Sequence, residues 1–191
     1  MPASLILASG SRYRKDLLTR LGIPFEVRSP DIDETPGVHE TARELAVRLA
    51  RSKAAAIARE RPDAWVLGAD QVAVCGGQLI GKPGTAERAI EQLTAASGQT
   101  LSFFTAACLA RERDGQSDEH LDETRVHFRK LSAAEINRYV TLDQPFDCAG
   151  SFRSEGLGVT LLERIDSTDP TALVGLPLIW LSGALRRADL L

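Results

Sequence analysis

The sequence predicts an α/β fold built on a mixed β-sheet, and three observations support that prediction. Apolar segments of strand length are interspersed with helical segments, without the strict alternation of a doubly wound sheet. The glycine turns at 75–77 and 114–115 are typical of β-hairpins and therefore of antiparallel strand pairs. Capping boxes at 41–44 and 132–135 predict the starts of two helices.

Up to residue 60 the chain predicts two strands and two helices. The first strand is entirely apolar, and alternation of apolar and polar residues marks the second. A glycine ends the first helix, and an acidic loop precedes the second. In order these elements are a strand at 5–8, a helix at about 12–21 before Gly22, a strand at 25–29, the acidic loop at 30–38 and a helix from 41 to about 58.

From residue 61 onward most of the predicted elements are strands. A mostly apolar strand turns back into a short one, and a longer apolar strand returns through the second hairpin. In order the elements are strands at 65–74 and 78–80, a helix at about 85–96, a hairpin with strands at 99–110 and up to Phe128, a helix at about 132–142, a strand at 156–165 and a C-terminal helix beginning near Pro177.

Composition and charge restrict the class of protein. The 191 residues fit a single domain over 1–191 with no clean linker. A net charge of −3 and 5% aromatic residues argue against a nucleic-acid partner. No segment has the length and apolarity of a membrane span or a signal-peptide core, so we expect no membrane partner. Three well-separated cysteines, Cys75, Cys108 and Cys148, favour a reducing cytoplasm over a disulfide framework or a zinc site.

The strongest indication of function is a carboxylate inside a predicted buried strand. Asp70 lies between the mostly apolar runs 65–69 and 72–74. Burying a carboxylate is costly unless it is paired, protonated or bound to a metal. We therefore interpret Asp70 as a functional residue, and a structural ion pair with a buried arginine is the alternative.

A lysine interrupts the apolar face of the second predicted helix. Lys53 follows Leu45 and Leu49 and precedes Ile57 at a spacing of four residues, where an apolar side chain is expected. The chain has 19 arginines and only four lysines, so a lysine here indicates a need for a compact charge. The alternative is a lysine that lies along the helix surface.

Weaker signals accompany these two residues. The turn Ser9-Gly10-Ser11 precedes a helix N-terminus, whose N–H groups favour an anion. Arg14 shares the apolar face of that helix, Glu34 lies in the acidic loop, and Lys82 lies in a loop after the short hairpin strand. Each of these features alone is also typical of a solvated surface.

Together the residues predict phosphate chemistry with a divalent cation. Carboxylates such as Glu34 and Asp70 suit Mg²⁺ or Mn²⁺. Lysines, an arginine and the N–H groups at a helix start suit a polyphosphate. Water activated beside a carboxylate is a nucleophile for phosphorus, and nearby cations stabilise the charge that develops on the departing phosphates.

Seven short motifs follow one another along essentially the whole chain. They are LILASGSRYRKDLL at 5–18, DIDETP at 31–36, LARSKA at 49–54, GADQV at 68–72, GKP at 81–83, AGSF at 149–152 and VGLPL at 174–178. In this order they resemble the motifs of the Maf family of nucleoside triphosphate pyrophosphatases. Arg12 and Asp16 depart from the Pro and Glu usual in that family, which affects the helix start more than the chemistry.

The resemblance implies an elongated Maf/ITPase-like α/β fold, a mixed sheet with flanking helices and two lobes around a central cleft. It implies metal-dependent hydrolysis of a nucleoside triphosphate to the monophosphate and pyrophosphate. Asp70 matches the residue taken as the proton acceptor of the family. Family members are often dimeric, which leaves a homodimer open.

Three positions differ between branches of the family and indicate the base. Members that act on dTTP and UTP typically have Arg, Thr and Gln where this chain has Tyr13, Gln71 and Glu155. The chain's residues resemble the 7-methyl-GTP pyrophosphatase branch, in which the first position is aromatic. A methylated guanine is a cation, so an aromatic face and a carboxylate both favour it. Glu155 can also accept hydrogen bonds from guanine N–H groups.

These arguments give one set of expected roles. Asp70, Lys53 and Lys82 are expected to be catalytic, Glu34 and Asp70 to bind Mg²⁺ or Mn²⁺, and Ser9, Ser11, Tyr13, Arg14, Gln71 and Glu155 to bind the substrate. The expected enzyme is cytoplasmic and removes modified nucleotides.

Three other functions stay open from the sequence. Residues 10–12 with Lys15 loosely resemble the phosphate loop of sugar-nucleotide synthases, although the second glycine of that loop is missing. A nucleotide-binding regulator of cell division is a second alternative. Hydrolysis of dTTP or UTP is the alternative within the same family.

Overall fold

Residues 4–191, which the computed structural model describes, form an α/β fold of seven strands and five α-helices. The mixed sheet predicted from the sequence is confirmed. In chain order the elements are β1 (Leu5–Ala8), α1 (Arg12–Thr19), β2 (Glu26–Arg28), α2 (Ala42–Glu60), β3 (Trp65–Cys75), β4 (Gln78–Ile80), α3 (Ala86–Ala96), β5 (Thr100–Arg111), β6 (Gln116–Phe128), α4 (Ala133–Asp143), β7 (Leu162–Asp166) and α5 (Leu178–Arg187).

The sheet contains both parallel and antiparallel strand pairs, because helices and hairpins both connect its strands. The strand order is β2-β1-β3-β5-β6-β7, and β4 pairs with β3 outside this path. β1 is parallel to β2 and β3, whereas β4 and β7 are antiparallel to β3 and β6. The β3–β4 turn has positive φ at Gly76 (55°) and Gly77 (81°), as a tight primed hairpin turn requires.

The described chain divides into two compact units. One contains the chain up to Gln71 with 105–122 and 169–191, and the other contains 72–104 and 123–168. Strands β3, β5 and β6 contribute residues to both units. No helix within residues 4–191 combines the length and apolarity needed to cross a membrane.

Each unit has its own apolar core. In the first unit the leucines of β1 and β3 pack with the apolar faces of α1 and α5. This packing fixes the end of β1, next to Ser9, and the middle of β3, next to Asp70. In the second unit the Phe152 ring contacts Phe103 and Phe128, with ring centroids 6.5 Å and 5.6 Å apart. Both capping boxes are present at the starts of α2 and α4.

The predicted strand at 156–165 is wrong in its first half. Residues Leu157–Leu161 form a 3₁₀-helix, and only Leu162–Asp166 form a strand. The chain turns tightly here because Gly158 packs directly on the backbone of Arg153, where a Cβ would lie 2.3 Å from its carbonyl oxygen. Helix α1 also ends at Thr19, two residues earlier than predicted, because hydrogen bonds between residues three apart close its last turn.

Candidate active site

The turn between β1 and α1 is held by its own two serines. Ser9 is buried, and its Oγ accepts hydrogen bonds from the Ser11 N–H at 3.2 Å and from Arg14 Nη1 at 3.3 Å. Ser11 caps α1, since its Oγ accepts from the Arg14 N–H at 3.4 Å. In this structure both hydroxyls therefore order the turn and the arginine that follows.

The guanidinium of Arg14 is held by the turn before α1 and by the loop before α5. Its Nε donates to the carbonyl oxygen of Gly175 at 3.1 Å, in addition to the Nη1 bond to Ser9. Burial lowers the pKa of Arg14, while the charges of Asp70 and Glu34 act in the opposite direction. Arg14 is a cation at any physiological pH, because an arginine side chain is not deprotonated in proteins.

A buried carboxylate orders the loop that holds Arg14. Asp169 Oδ1 accepts from the Thr171 N–H at 2.9 Å and from its hydroxyl at 2.6 Å. Asp169 Oδ2 accepts from the Ile179 N–H at 2.7 Å, in the first turn of α5, where a negative charge is favourable. The loop between these contacts includes Gly175, whose φ of 124° suits only glycine.

Helix α2 packs closely on β3 at Gly68, where the strand has no side chain. A Cβ on Gly68 would lie 2.2 Å from the carbonyl oxygen of Ala50 and 2.5 Å from the backbone nitrogen of Ala54. Glycine at 68 thus permits a closer approach than any other residue would. This approach brings Lys53 of α2 next to Asp70 of β3.

Lys53 joins two carboxylates. Its Nζ lies 2.6 Å from Oδ1 of Asp70 and 2.7 Å from Oε1 of Glu34. The Lys53 and Asp70 side chains are 9% and 10% exposed, whereas Glu34 is 58% exposed. The predicted burial of Lys53 and Asp70 is confirmed, and the ion-pair partner of Asp70 is this lysine rather than an arginine.

The loop that carries Glu34 is tied to α2 by an arginine. Arg48 donates to both carboxylate oxygens of Glu40 at 2.6 Å and 2.9 Å, and to the carbonyl oxygen of Thr35 at 3.0 Å. The two Arg48 bonds to Glu40, with one from the Gly37 N–H, lower the pKa of Glu40 to about 2. One helix thus positions both Lys53 and the loop of Glu34.

The two predicted base-reading residues of the first unit already have protein partners. The amide nitrogen of Gln71 donates to Thr105 Oγ1 at 2.9 Å and to the carbonyl oxygens of Ala172 and Leu173 at 3.1 Å and 2.9 Å. The Arg12 guanidinium lies 4.7 Å from the centre of the Tyr13 ring, and its Nη2 donates to the Tyr13 hydroxyl at 2.7 Å. The Tyr13 ring thus already makes a cation–π contact with the Arg12 guanidinium.

Lys82 and Glu155 lie in the second unit, and both are exposed. Before Lys82, the carbonyl oxygen of Gly81 accepts from Gln92 Nε2 at 3.3 Å and from the Gly150 N–H at 3.4 Å. Glu155 Oε2 accepts from the Ser154 hydroxyl at 2.8 Å. The structure therefore brings Ser9, Arg14, Glu34, Lys53 and Asp70 together in the first unit, and it places Lys82 and Glu155 on ordered loops of the second.

A partly buried ion pair lies next to the Glu155 loop. Arg153 Nη2 donates to Oδ1 of the buried Asp143, and the Arg153 N–H donates to the Tyr139 hydroxyl at 3.0 Å. A Cβ on Gly156 would lie 2.6 Å from the Asp143 carboxylate. Burial raises the pKa of Tyr139, so its hydroxyl keeps its proton at neutral pH.

Comparison with known proteins identifies the family. A family model described as a Maf-like protein matches residues 4–188. The chain belongs to the Maf family. The prediction made from seven motifs is thereby confirmed.

Several relatives match this Maf chain over almost its whole length. A 7-methyl-GTP pyrophosphatase of Nitrosococcus oceani is 50% identical over 187 residues, which cover 98% of this chain and 94% of the relative. One of Burkholderia lata is 53% identical over 191 residues, covering 98% and 91%. One of Pseudomonas savastanoi is 52% identical over 176 residues, covering 92% of each. All three bear the name of the branch that Tyr13, Gln71 and Glu155 resemble.

The carboxylates of this Maf chain suit the divalent cation that the family resemblance implies. Glu34 Oε1 and Asp70 Oδ1 converge on a single point, the Nζ of Lys53. Two carboxylates are a donor set typical of Mg²⁺, which keeps several waters and takes further oxygens from substrate phosphates. Within residues 4–191 no group of three or more His, Cys, Asp and Glu side chains forms a candidate metal site.

Sequence reasoning missed three residues that position this Maf site. Arg48 and Glu40 fix the Glu34 loop, and Asp169 fixes the loop that holds Arg14. The sequence does contain a sign of the Asp169 role, since an aspartate often accepts a hydrogen bond from the backbone N–H two residues later, as Asp169 does from Thr171. Arg48 had no such signal, because a charged residue beside an apolar helix face is ordinarily solvated.

Proposed function

We propose that this chain hydrolyses 7-methyl-GTP to 7-methyl-GMP and pyrophosphate. The observation that supports it best is the Lys53 ammonium joined to Glu34 and Asp70, with the Arg14 cation nearby in the same unit. Carboxylates that bind a divalent cation, beside two cationic side chains that bind phosphates, are what phosphoanhydride hydrolysis needs. The names of the close relatives support the reaction and the base.

Glu34 and Asp70 are the residues proposed to hold the metal. A bound Mg²⁺ or Mn²⁺ would offset phosphate charge and lower the pKa of a coordinated water. Both carboxylates lie near Arg14, so a triphosphate would meet an arginine cation at the same place.

Asp70 is proposed to be the general base. Its Oδ1 faces Lys53 and the proposed metal site, which leaves Oδ2 to take the proton of the attacking water. The water oxygen bonds to the α-phosphorus while the bond from that phosphorus to the bridging oxygen breaks. Pyrophosphate leaves with the electron pair, and Lys53 and Arg14 stabilise the charge that develops.

The remaining roles follow the sequence motifs. Lys82 is proposed to bind the departing phosphates and Glu155 to accept from guanine N–H groups. Tyr13 is proposed to bind the methylated base through its ring, which here receives the Arg12 guanidinium. Gln71 has its amide nitrogen in bonds to the protein, so its amide oxygen is the group left for the base. A cytoplasmic location and a homodimer stay predictions.

The test is product analysis over a panel of nucleotides. The protein is incubated with Mg²⁺ or Mn²⁺ and with 7-methyl-GTP, GTP, UTP, dTTP or CTP, and the products are separated. We expect monophosphate and pyrophosphate, with a preference for 7-methyl-GTP. A preference for UTP or dTTP would overturn the base assignment and keep the reaction. Binding without hydrolysis of any of them would favour the regulator, and reversible pyrophosphate exchange with a sugar phosphate would favour the nucleotidyltransferase.

A further inference from the structure

Lys53 occupies the point at which the two proposed metal ligands converge. Its Nζ lies 2.7 Å from Glu34 Oε1 and 2.6 Å from Asp70 Oδ1. We propose that Lys53 holds the place of the divalent cation in the nucleotide-free protein and gives it up only to a metal that arrives with a triphosphate. The inference rests on the proposed function, because the ligand it invokes is a metal–triphosphate complex.

Charge balance explains why the nucleotide-free site would resist a free metal ion. Glu34 and Asp70 carry two negative charges, and Lys53 and Arg14 carry two positive ones, so the cluster is neutral. A divalent cation at the convergence point would lie next to the Lys53 ammonium, and like charges at such short range repel strongly where water is scarce. The Lys53 side chain is only 9% exposed, so little water screens that repulsion.

A triphosphate makes it possible for the metal ion to replace the Lys53 ammonium between the two carboxylates. Its oxygens offer the ammonium new hydrogen-bond acceptors, and they bring negative charge that compensates for the incoming metal. A lysine side chain can make this move, because it carries a compact charge on a flexible four-carbon stem. Glu34, at 58% exposed, marks the side of the cluster that is open to solvent.

Two binding events would then be linked. If the triphosphate draws Lys53 away from the carboxylates, it strengthens metal binding there, and by reciprocity the metal strengthens triphosphate binding to the same degree. Lys53 would therefore act twice, first as a substitute for the cation and then as a phosphate ligand. The Lys53–Asp70 ion pair would thus make metal binding depend on substrate binding.

The first experiment measures Mn²⁺ binding to the nucleotide-free protein by electron paramagnetic resonance. We expect Lys53→Met, which removes the ammonium and keeps an unbranched chain, to bind Mn²⁺ at least about tenfold more tightly than the wild type. Lys15→Met is the matched control, because it removes the same charge from an exposed position of the same unit. Equal affinities of the wild type and Lys53→Met would overturn the proposal.

Lys53→Met leaves Asp70 buried without its lysine, so its folding is checked by thermal unfolding. A stabilisation by Mn²⁺ of this variant, absent from the wild type and from Lys15→Met, would be a second supporting result. Lys53→Arg is expected to bind Mn²⁺ as weakly as the wild type, because it keeps the charge. Tight Mn²⁺ binding by Lys53→Arg would contradict a role for charge.

A second experiment needs no change at Lys53. The chain has only four lysines, so their side-chain ammonium signals can be assigned by nuclear magnetic resonance with Lys→Arg variants of Lys15, Lys82 and Lys130. We expect the Lys53 signal to be unchanged by Mg²⁺ alone and to move when Mg²⁺ is added with α,β-methylene-7-methyl-GTP. A signal that moves with Mg²⁺ alone would overturn the proposal, and so would one that never moves although the analogue binds.

These outcomes are distinguishable from failure of the proposed function. An enzyme that hydrolyses 7-methyl-GTP but binds Mn²⁺ equally with and without Lys53 would keep the function and lose the inference. A protein that shows the Lys53 exchange with a triphosphate analogue but releases no pyrophosphate would keep the inference and lose the function.

Discussion

The contact of α2 with β3 makes Gly68→Ala the sharpest test of how the site is positioned. The new Cβ would lie 2.2 Å from the carbonyl oxygen of Ala50 and 2.5 Å from the nitrogen of Ala54. Both are backbone atoms, so no side chain can rotate out of the way. Helix α2 must move as a whole, and Lys53 moves with it.

The size of the effect follows from those distances. Non-bonded atoms prefer separations of about 3.5–4.0 Å, so α2 has to retreat by more than about 1 Å. Overpacking of this kind costs about 1–3 kcal/mol of unfolding free energy, which lowers the melting temperature of a protein this size by roughly 2–4 °C for each kcal/mol. If Lys53 moves by about 1 Å relative to Asp70, kcat/KM is expected to fall by about 10²-fold.

Gly183→Ala is the matched control. It makes the same chemical change inside α5, where the new Cβ would meet only the flexible end of Arg187 at 3.3 Å. Alanine is favoured over glycine in a helix interior by about 1 kcal/mol, so this variant is expected to be more stable than the wild type. Thermal unfolding and 7-methyl-GTP hydrolysis are measured on both. A Gly68→Ala protein with wild-type stability and activity would refute the reasoning.

Three other predictions follow from the same contacts. Asp70→Asn should fold and lose about 10²–10⁴-fold in kcat, because it removes the proposed general base; a steady-state assay that finds the wild-type rate would contradict that role. Asp169→Asn replaces an acceptor of the Ile179 N–H by an amide, so it should lower the unfolding free energy in urea by about 1–3 kcal/mol, and an unchanged midpoint would contradict it. Hydrogen bonds lower the pKa of Glu135 from 4.5 to about 2 in the folded state, so the stability it contributes is present above pH 4.5 and is lost as the pH falls towards 2. The melting temperature of Glu135→Gln should therefore fall less steeply with pH between 4.5 and about 2 than that of the wild type. An equal slope of melting temperature against pH would contradict this prediction.

The residues at the centre of the site could be found from the sequence because they break a pattern. Lys53 interrupts an apolar helix face and Asp70 an apolar strand, and a charge at a buried position needs a partner. Their pairing with each other was not predicted, since the spacing of residues along the chain does not show which strand a helix covers. The alternative interpretation of Asp70, an ion pair with a buried arginine, does not describe this contact, because its partner is a lysine 17 residues away.

The supporting residues were invisible for a different reason. Arg48 and Glu40 are charged residues in positions where charges are ordinarily solvated, and only the fold shows that they hold a loop. The bonds of Gln71 to the 172–173 carbonyls join residues about 100 positions apart, which no local pattern indicates. The 3₁₀-helix at Leu157–Leu161 has the apolar composition of a strand, and the packing of Gly158 decides between the two.

The bond from Arg14 to Gly175 also determines when the site can form. Its partners are 161 residues apart, and the loop that contains Gly175 is fixed by an α5 residue close to the C-terminus. A ribosome synthesises about 5–20 residues per second from the N-terminus, so Arg14 leaves it many seconds before its acceptor exists. The Ser9–Ser11 turn, which belongs to the first motif to be translated, is therefore among the last parts of the site to reach its final geometry. A nascent chain that stops short of residue 169 would carry all of the proposed catalytic residues and lack the contact that orients Arg14.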